Sequence, residues 1–403
     1  MARLPSGDPA PADGRLPAPA RATLSERPFG VYVHVPFCAS RCGYCDFNTY
    51  VPGESGAETA GYVDALLAEL RFARRILGDD RPPAASVYVG GGTPTLLAPA
   101  QLRHLLDGVR AALGVADDAE ITVEANPESV DATGLAHLRD AGFTRLSLGM
   151  QSAVPSVLET LHRRHSPGRA IEVAHEARAA GFDQVSIDLI YGTPGETADD
   201  WRASLDAALA ARPTHVSTYS LVVEPGTLLA AQVRRGEVTM PGEDVVVDRF
   251  ETADRVLAAA GLHWYETCSW AVDEAARSRH NLGYWTGANW WGAGPGAHSH
   301  IGGVRWWNAL HPRTWATHLE AGDSPAAGRE QPEPGARVLE RVMLGLRLAD
   351  GVALTDLSDA GRAAAARKVA DGLLEPRAHA EGRAVLTRLG RLLADPVTLA
   401  LAG

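Results

Sequence analysis

From residue 29 the chain alternates between short apolar runs and longer amphipathic stretches. The runs at 30–35, 86–89, 120–124, 145–148, 184–189 and 215–220 are rich in Val, Ile, Leu and Tyr and too short for helices, so they predict strands. Between them, apolar residues recur every three or four positions at 57–77, 98–113, 131–141, 155–161, 170–180 and 197–211, which predicts helices packed by one face. Six strand–helix units in series predict an α/β fold with a parallel sheet and right-handed crossovers. Spacing alone leaves an open doubly wound sheet and a partial barrel equally open. In both, ligands gather at the C-terminal ends of the strands, so the residues just after each apolar run are where chemistry is expected.

The pattern changes on either side of this block. Residues 1–27 are rich in Pro, Ala and Arg and lack the apolar core of a signal peptide, which predicts a disordered tail. The repeating units, 28–235, read as one domain. Residues 236–403 read as a second, with a helix at 240–260, a Trp-rich segment and a small helical or winged-helix-like end from 336 to 394. Seven of the nine tryptophans fall between Trp264 and Trp307. Flat aromatic walls with interspersed histidines suit a planar macrocycle, and they equally suit a cover over the open side of a barrel.

Composition narrows the class. A net charge of -11 argues against a broad basic face for nucleic acid. No run approaches the roughly 18 apolar residues of a membrane helix. Four cysteines in 403 residues fit a reducing compartment, and a cytoplasmic location is expected. Three of them, Cys38, Cys42 and Cys45, stand together as C-x-x-x-C-x-x-C just after the first predicted strand. Three thiols within eight residues cannot pair off as disulfides. Structural zinc takes four closed ligands, and no second Cys/His pair follows closely. A cubane 4Fe-4S cluster normally takes four thiolates, so three imply one iron left open for a small ligand.

Tyr32-x-His34-x-Pro36-Phe37-Cys38-x-x-x-Cys42-x-Tyr44-Cys45 resembles the cluster loop of the radical S-adenosylmethionine (SAM) superfamily. More narrowly it resembles the branch that holds oxygen-independent coproporphyrinogen III oxidase and the HemW-type heme chaperones. The resemblance spans residues 29–310 and tips the fold to a six-stranded partial (β/α) barrel. It implies that the open iron is chelated by the amino and carboxylate groups of SAM, whose sulfonium an electron from the cluster can split to a 5'-deoxyadenosyl radical. Gly90-Gly91-Gly92-Thr93-Pro94 is similar to the superfamily's SAM amino-group motif, which carries over to Gly91, Gly92 and Thr93. The strand ending Val123-Glu124-Ala125-Asn126-Pro127 implies Glu124 as a receiver of an ammonium or ribose hydroxyl. Gly149-Met150-Gln151 resembles the family's glycine-x-glutamine step, with Gln151 reading polar edges. Arg163 matches a carboxylate-binding arginine, with its neighbour Arg164 as the competing choice. Ile187-Asp188-Leu189-Ile190-Tyr191-Gly192 resembles the adenosine-contacting run, in which Asp188 is the contact. Tyr32 matches a tyrosine near SAM, and Ser220 or a neighbour would border the adenine.

Two features separate the branches. The oxidase branch has a further cysteine two positions after the third, where this chain has Phe47. Cys45-Asp46-Phe47-Asn48-x-Tyr50 resembles the HemW-type pattern. Residues 1–27 are also too irregular to supply the structured N-terminal segment associated with the oxidase. The resemblance therefore implies a chaperone that carries heme as cargo to acceptor proteins of respiration, with an electron donor for the cluster as a further partner. Decarboxylation of coproporphyrinogen III and radical chemistry on another substrate are the alternatives. The block His280-Asn281-Leu282-x-Tyr284-Trp285 is shared across the branch. His280 is the first candidate heme ligand, followed by His298, His300 and Cys268.

Overall fold

The computed structural model describes residues 4–403. Strands β1 (Phe29–Val35), β2 (Ala84–Gly91), β3 (Val115–Ala125), β4 (Arg145–Gln151), β5 (Gln184–Tyr191) and β6 (His215–Ser220) lie side by side in chain order, every neighbouring pair parallel. Helices Tyr62–Leu77, Pro99–Leu113, Ala132–Ala141, Arg169–Ala179 and Ala198–Ala210 make the returns. This arrangement is consistent with the six-stranded partial (β/α) barrel that the family resemblance implies, where the repeating pattern alone left an open sheet equally open. The strands obey a period of two. Val31, Val33, Val87, Val89, Val185 and Ile187 point outward and are buried under the helices. Polar partners of the same strands, among them His34, Ser86, Ser147 and Ser186, face the barrel interior. Local signals hold the helix ends. At the start of Ala198–Ala210, the Asp200 N–H donates to Thr197 Oγ1 at 3.1 Å, and the Asp200 carboxylate accepts from the Thr197 N–H at 2.9 Å.

The later chain extends the same sheet at both edges. Strands β7 (His263–Glu266) and β8 (Ser269–Ala271) form a hairpin beside β6. The chain then crosses the N-terminal ends of the barrel strands as helix Arg279–Thr286. It re-enters the sheet on the far side as β9 (Asn289–Ala293), parallel to β1, followed by the antiparallel β10 (His298–Ile301), β11 (Val304–Asn308) and β12 (Ala326–Glu330). The sheet thus runs unbroken through the expected boundary at 235. The tryptophans do not form one wall either. Trp264 and Trp270 lie on the β7–β8 edge, while Trp290, Trp291, Trp306 and Trp307 lie on the opposite edge. A helix crossing under the barrel separates residues that are close in sequence.

A separate small core, with Val342, Leu346, Leu374, Leu386, Val397 and Leu401 at its centre, organises the C-terminal residues around helices and a two-stranded ribbon, β13 (Val352–Ala353) and β14 (Arg383–Ala384). The expectation of a disordered N-terminal tail is corrected for residues 4–27. Asp8 pairs with Arg329 on β12 through two backbone hydrogen bonds of 2.8 and 2.9 Å. The Ser324 N–H donates to Ala12 O, and Ala20 and Leu24 are buried. Low apolar content hid this strap, because its anchors are backbone groups on an otherwise open sheet edge.

Candidate active site at the C-terminal ends of the barrel strands

The loop after β1 carries the three cysteines. It is held at both ends by main chain. Cys38 N–H donates to Tyr50 O at 3.0 Å, Tyr50 N–H to Pro36 O at 2.7 Å, and Gly43 N–H to Leu161 O at 3.1 Å. Cys38, Cys42 and Cys45 all line one cavity of about 380 Å³ at the strands' C-terminal ends. Gly91, Gly92, Thr93, Glu124, Gln151, Arg163 and Asp188 line the same cavity. Seven positions taken from five different loops or strand ends thus meet the cysteines in one place. Tyr32 does not line it. Its hydroxyl is paired with His34 Nδ1 at 2.9 Å, and its ring lies deeper, against Tyr88 and His280.

The glycines of the second loop make room for the cysteine loop itself. A Cβ on Gly92 would stand 2.5 Å from Phe37 O and 2.9 Å from Cys38 Sγ, and Gly91 has φ of +117°, which a side chain would strain. The Thr93 N–H donates to Phe37 O at 2.7 Å, and its hydroxyl lies 3.9 Å from Cys38 Sγ. Behind them, Glu124 accepts from the Gly91 N–H at 2.9 Å and from the Tyr88 hydroxyl at 2.7 Å. Burial nonetheless pushes its carboxyl up to about 7, against the pull of those two donors. Asp188 accepts from the Ser147 hydroxyl at 2.8 Å, and burial raises it too.

Arg163 is the arginine that enters. Its Nη2 donates to Gly149 O at 2.8 Å, its Nη1 lies 3.6 Å from Cys42 Sγ, and its buried Nε has no protein partner. Arg164 is exposed and does not line the cavity. Gln151 ends β4 with φ of +64°, a left-handed geometry rare for a side-chain-bearing residue, beside a register shift in the β4–β5 ladder. Such strain persists only where the surroundings over-determine it.

The donor set fits a cluster better than a single ion. Among the described residues no three His, Cys, Asp or Glu groups converge on one metal position. The three thiols nevertheless ring one cavity, as ligands to separate irons of a cubane would. Burial raises the Cys38 thiol and pushes Cys45 up to about 12, so ligation there must displace protons.

Several contributors were not singled out from sequence. Ser147, Asn126 and Ile190 line the cavity; Ser220 and its neighbours Tyr219 and Leu221, among which an adenine border was expected, line it as well. Ser147 was legible in principle, two positions before Gly149 on an alternating strand. The Gly-rich run 292–297 was not read from sequence. In the fold it braces the cysteine loop. Asn48 Nδ2 donates to Pro295 O at 3.0 Å and to Leu310 O at 2.8 Å, and His34 Nε2 meets Asn48 O at 2.9 Å. A Cβ on Gly296 would meet Asn48 Nδ2 at 2.7 Å, and its φ is +74°. Buried Glu69 anchors the run by accepting from the Gly294 N–H, Asn308 Nδ2 and Trp315 Nε1, each at 2.7 Å. Phe47 stands at the cavity mouth, 62% exposed.

The histidines offered as heme ligands are mostly committed elsewhere. His280 is 3% exposed, with Nδ1 on Ser86 Oγ at 2.9 Å and Nε2 on the Tyr284 hydroxyl at 2.8 Å. Burial lowers its pKa to about 3. His300 has Nδ1 on Ala288 O at 2.8 Å, and its Nε2 accepts from the Gly303 N–H at 3.1 Å. His298 is exposed beside Trp307, and Cys268 is partly buried in a different cavity. His280, the first candidate, thus has its one imidazole lone pair engaged by a hydroxyl, which iron would have to displace.

Residues 32–208 match the model of the Radical SAM superfamily. The chain is 52% identical over 386 residues to a heme chaperone HemW of Mycobacterium tuberculosis, covering 96% of this chain and 97% of that one. It is 33% identical to the heme chaperone HemW of Bacillus subtilis, over 80% of this chain and 84% of the relative. The structure of coproporphyrinogen III oxidase (HemN) from Escherichia coli superposes with a TM-score of 0.81 at 24% identity, over 95% of this chain and 92% of the other, a likeness of fold. With identity above one half sustained along nearly the whole of both chains, this chain belongs to the HemW family of the radical SAM superfamily.

Proposed function

We propose that the protein is a cytoplasmic heme chaperone that binds heme and passes it to acceptor proteins, respiratory ones in particular. The observation that carries the reading is the 52% identity to a protein of that name over almost all of both chains. Phe47 supports it, because an exposed apolar ring stands where the oxidase branch resembled by this loop has a further cysteine. No helix among the described residues is long and apolar enough to cross a membrane.

In this reading Cys38, Cys42 and Cys45 hold a 4Fe-4S cluster, and the surrounding cavity binds SAM. The bound pair would supply one-electron cleavage of a sulfonium. The chain's own residues bind and orient. Arg163 has an unpaired buried Nε and holds a positive charge over the cysteine loop. Glu124 presents a carboxylate to an ammonium. Asp188 and Gln151 offer acceptors and donors to hydroxyls and ring nitrogens. Tyr219, Leu221 and Ile190 supply an apolar wall.

The test is anaerobic reconstitution with iron and sulfide, followed by titration with hemin and, separately, with coproporphyrinogen III, SAM and a reductant. Stoichiometric hemin binding without decarboxylation is expected. Turnover to protoporphyrinogen IX would overturn the chaperone reading in favour of the oxidase, and failure to bind hemin would remove it.

A further inference from the structure

A second cavity, of about 360 Å³, lies beside the turn between β10 and β11 and shares no lining residue with the cysteine cavity. Three further parts of the chain wall it. They are the end of the N-terminal strap at Thr23 and Arg27, the last turn of helix Arg279–Thr286, and helix Pro334–Gly345, which leads from β12 to the small C-terminal core. Gly302 and Gly303 form the turn, with φ of +58° and +85°. A volume of this size falls in the range of small-ligand pockets.

The charge of this cavity runs against that of the chain. Net charge is -11 overall, yet Arg27, Arg305, Arg337 and Arg341 line the cavity against one carboxylate, that of Glu340. Arg305 is spent on Glu340 and on Glu330, each at 2.9 Å. Among the described residues the other three have no ion-pair partner. Arg27 gives Nη1 to Gly287 O at 2.8 Å and keeps its remaining donors. Arg337 and Arg341 stand four residues apart, so they project from one face of their helix. Arg337 lies along the glycine turn, with Cδ 3.7 Å from where a Cβ on Gly303 would stand. The cavity's other polar side chains are already engaged inside the fold. His300 has both nitrogens bonded, the Thr23 and Thr286 hydroxyls donate to Ala20 O and Leu282 O, and Trp290 Nε1 donates to His298 O. Guanidinium groups are thus what is left to recognise a ligand, and like charges gathered in one cleft draw anions.

We propose that this cavity binds an oligophosphate group, held by Arg27, Arg337 and Arg341. A guanidinium grips phosphate oxygens through two parallel bonds. Three unpaired cations converging from two parts of the chain suit several charges held close together better than a lone carboxylate. Tyr284 and Trp285 add an aromatic wall, against which a flat group attached to the phosphates can lie. The bound group ties helix Pro334–Gly345 to the strap, and so the small C-terminal core to the sheet. The site stands apart from the cysteine cavity and does not depend on the heme-chaperone reading.

The experiment is calorimetric titration of the full-length reconstituted chain, with and without saturating SAM, in phosphate-free buffer of constant ionic strength. The probes are pyrophosphate, ADP, adenosine and citrate. Pyrophosphate and ADP are expected to bind stoichiometrically and to raise the melting temperature; adenosine and citrate are expected to do neither in the SAM-saturated chain. ADP binding tighter than pyrophosphate would mark a nucleotide as the source of the phosphates, and equal affinities a free oligophosphate. Arg337→Gln and Arg341→Gln, both at exposed positions, are each expected to raise the pyrophosphate Kd about tenfold. The ligand-free melting temperature, cluster absorbance and SAM binding should stay as in the parent. No binding of pyrophosphate or ADP at millimolar concentration would overturn the site. So would parent-like affinity in both variants, or citrate binding as tightly as pyrophosphate. Displacement of pyrophosphate by SAM would move the anion to the cysteine cavity and overturn the site as well. Each of these outcomes leaves the heme-chaperone reading untouched.

Discussion

The two ends of the barrel use similar side chains in opposite ways. At the N-terminal ends of the strands, His280, Ser86, Tyr284 and Glu120 close on one another. Both nitrogens of His280 are bonded, and Glu120 accepts from the Arg279 and His280 N–H groups at 3.1 Å. At the C-terminal ends, Arg163 keeps a buried nitrogen unpaired, Gln151 sits in a strained backbone, and three thiols ring a cavity. The comparison teaches that residue type does not separate a binding group from a structural one. What separates them is whether the hydrogen-bonding capacity has already been spent inside the fold. A satisfied network rigidifies; an unsatisfied one is kept only where something else completes it.

The largest expected effect is on the open end. Cys42→Ala should abolish assembly of the cluster, read as loss of iron, sulfide and visible absorbance after anaerobic reconstitution; retention of a full cluster would break the assignment of the cysteine loop. Next comes Glu124. Its carboxyl titrates near 7 in the fold, so it is largely neutral below that pH and charged above it. SAM affinity should therefore fall as pH drops through about 7, and Glu124→Gln should weaken binding about tenfold or more and remove that pH dependence. Calorimetric titration from pH 6 to 8 would check both, with those limits chosen as about one unit either side of the pKa.

The closed end should answer in stability. His280→Ala leaves the Ser86 and Tyr284 hydroxyls unpaired and should cost about 1–3 kcal/mol in denaturant unfolding, with iron content unchanged. A stable variant that loses its cluster would show that the two ends are not separable as drawn. The smallest effect is expected from Arg164→Ala. Arg164 is exposed, so the change should lie within about 0.5 kcal/mol and leave SAM binding alone, whereas Arg163→Ala should weaken it. Equal losses in both would erase the distinction between the neighbours.

Much of this was legible along the chain. The expected run at 215–220 is β6 to the residue, and the helix expected at 98–113 is Pro99–Leu113. Both are strongly periodic and flanked by turn residues. The expected strand at 120–124 is the end of a longer one, Val115–Ala125, because Asp117 and Asp118 interrupt the apolar signal while the backbone continues to pair. Strands β9 to β12 were not read at all: their tryptophans and histidines carry no clean alternation, and their pairing partners are β1 and residues of the N-terminal strap.

By itself the sequence determined the six strand–helix units, the cysteine spacing and the strand ends where polar residues cluster, since periodicity and short motifs are local properties. Only the tertiary structure decided which of two adjacent arginines enters the cavity, that the Gly-rich run 292–297 braces the cysteine loop, and that His280 pairs with Ser86 and Tyr284. Those outcomes depend on hydrogen bonds between residues as far apart as Ser86 and His280 or Asn48 and Leu310. Partners that far apart are set by how the sheet closes and how the chain crosses beneath it, and no local pattern encodes that.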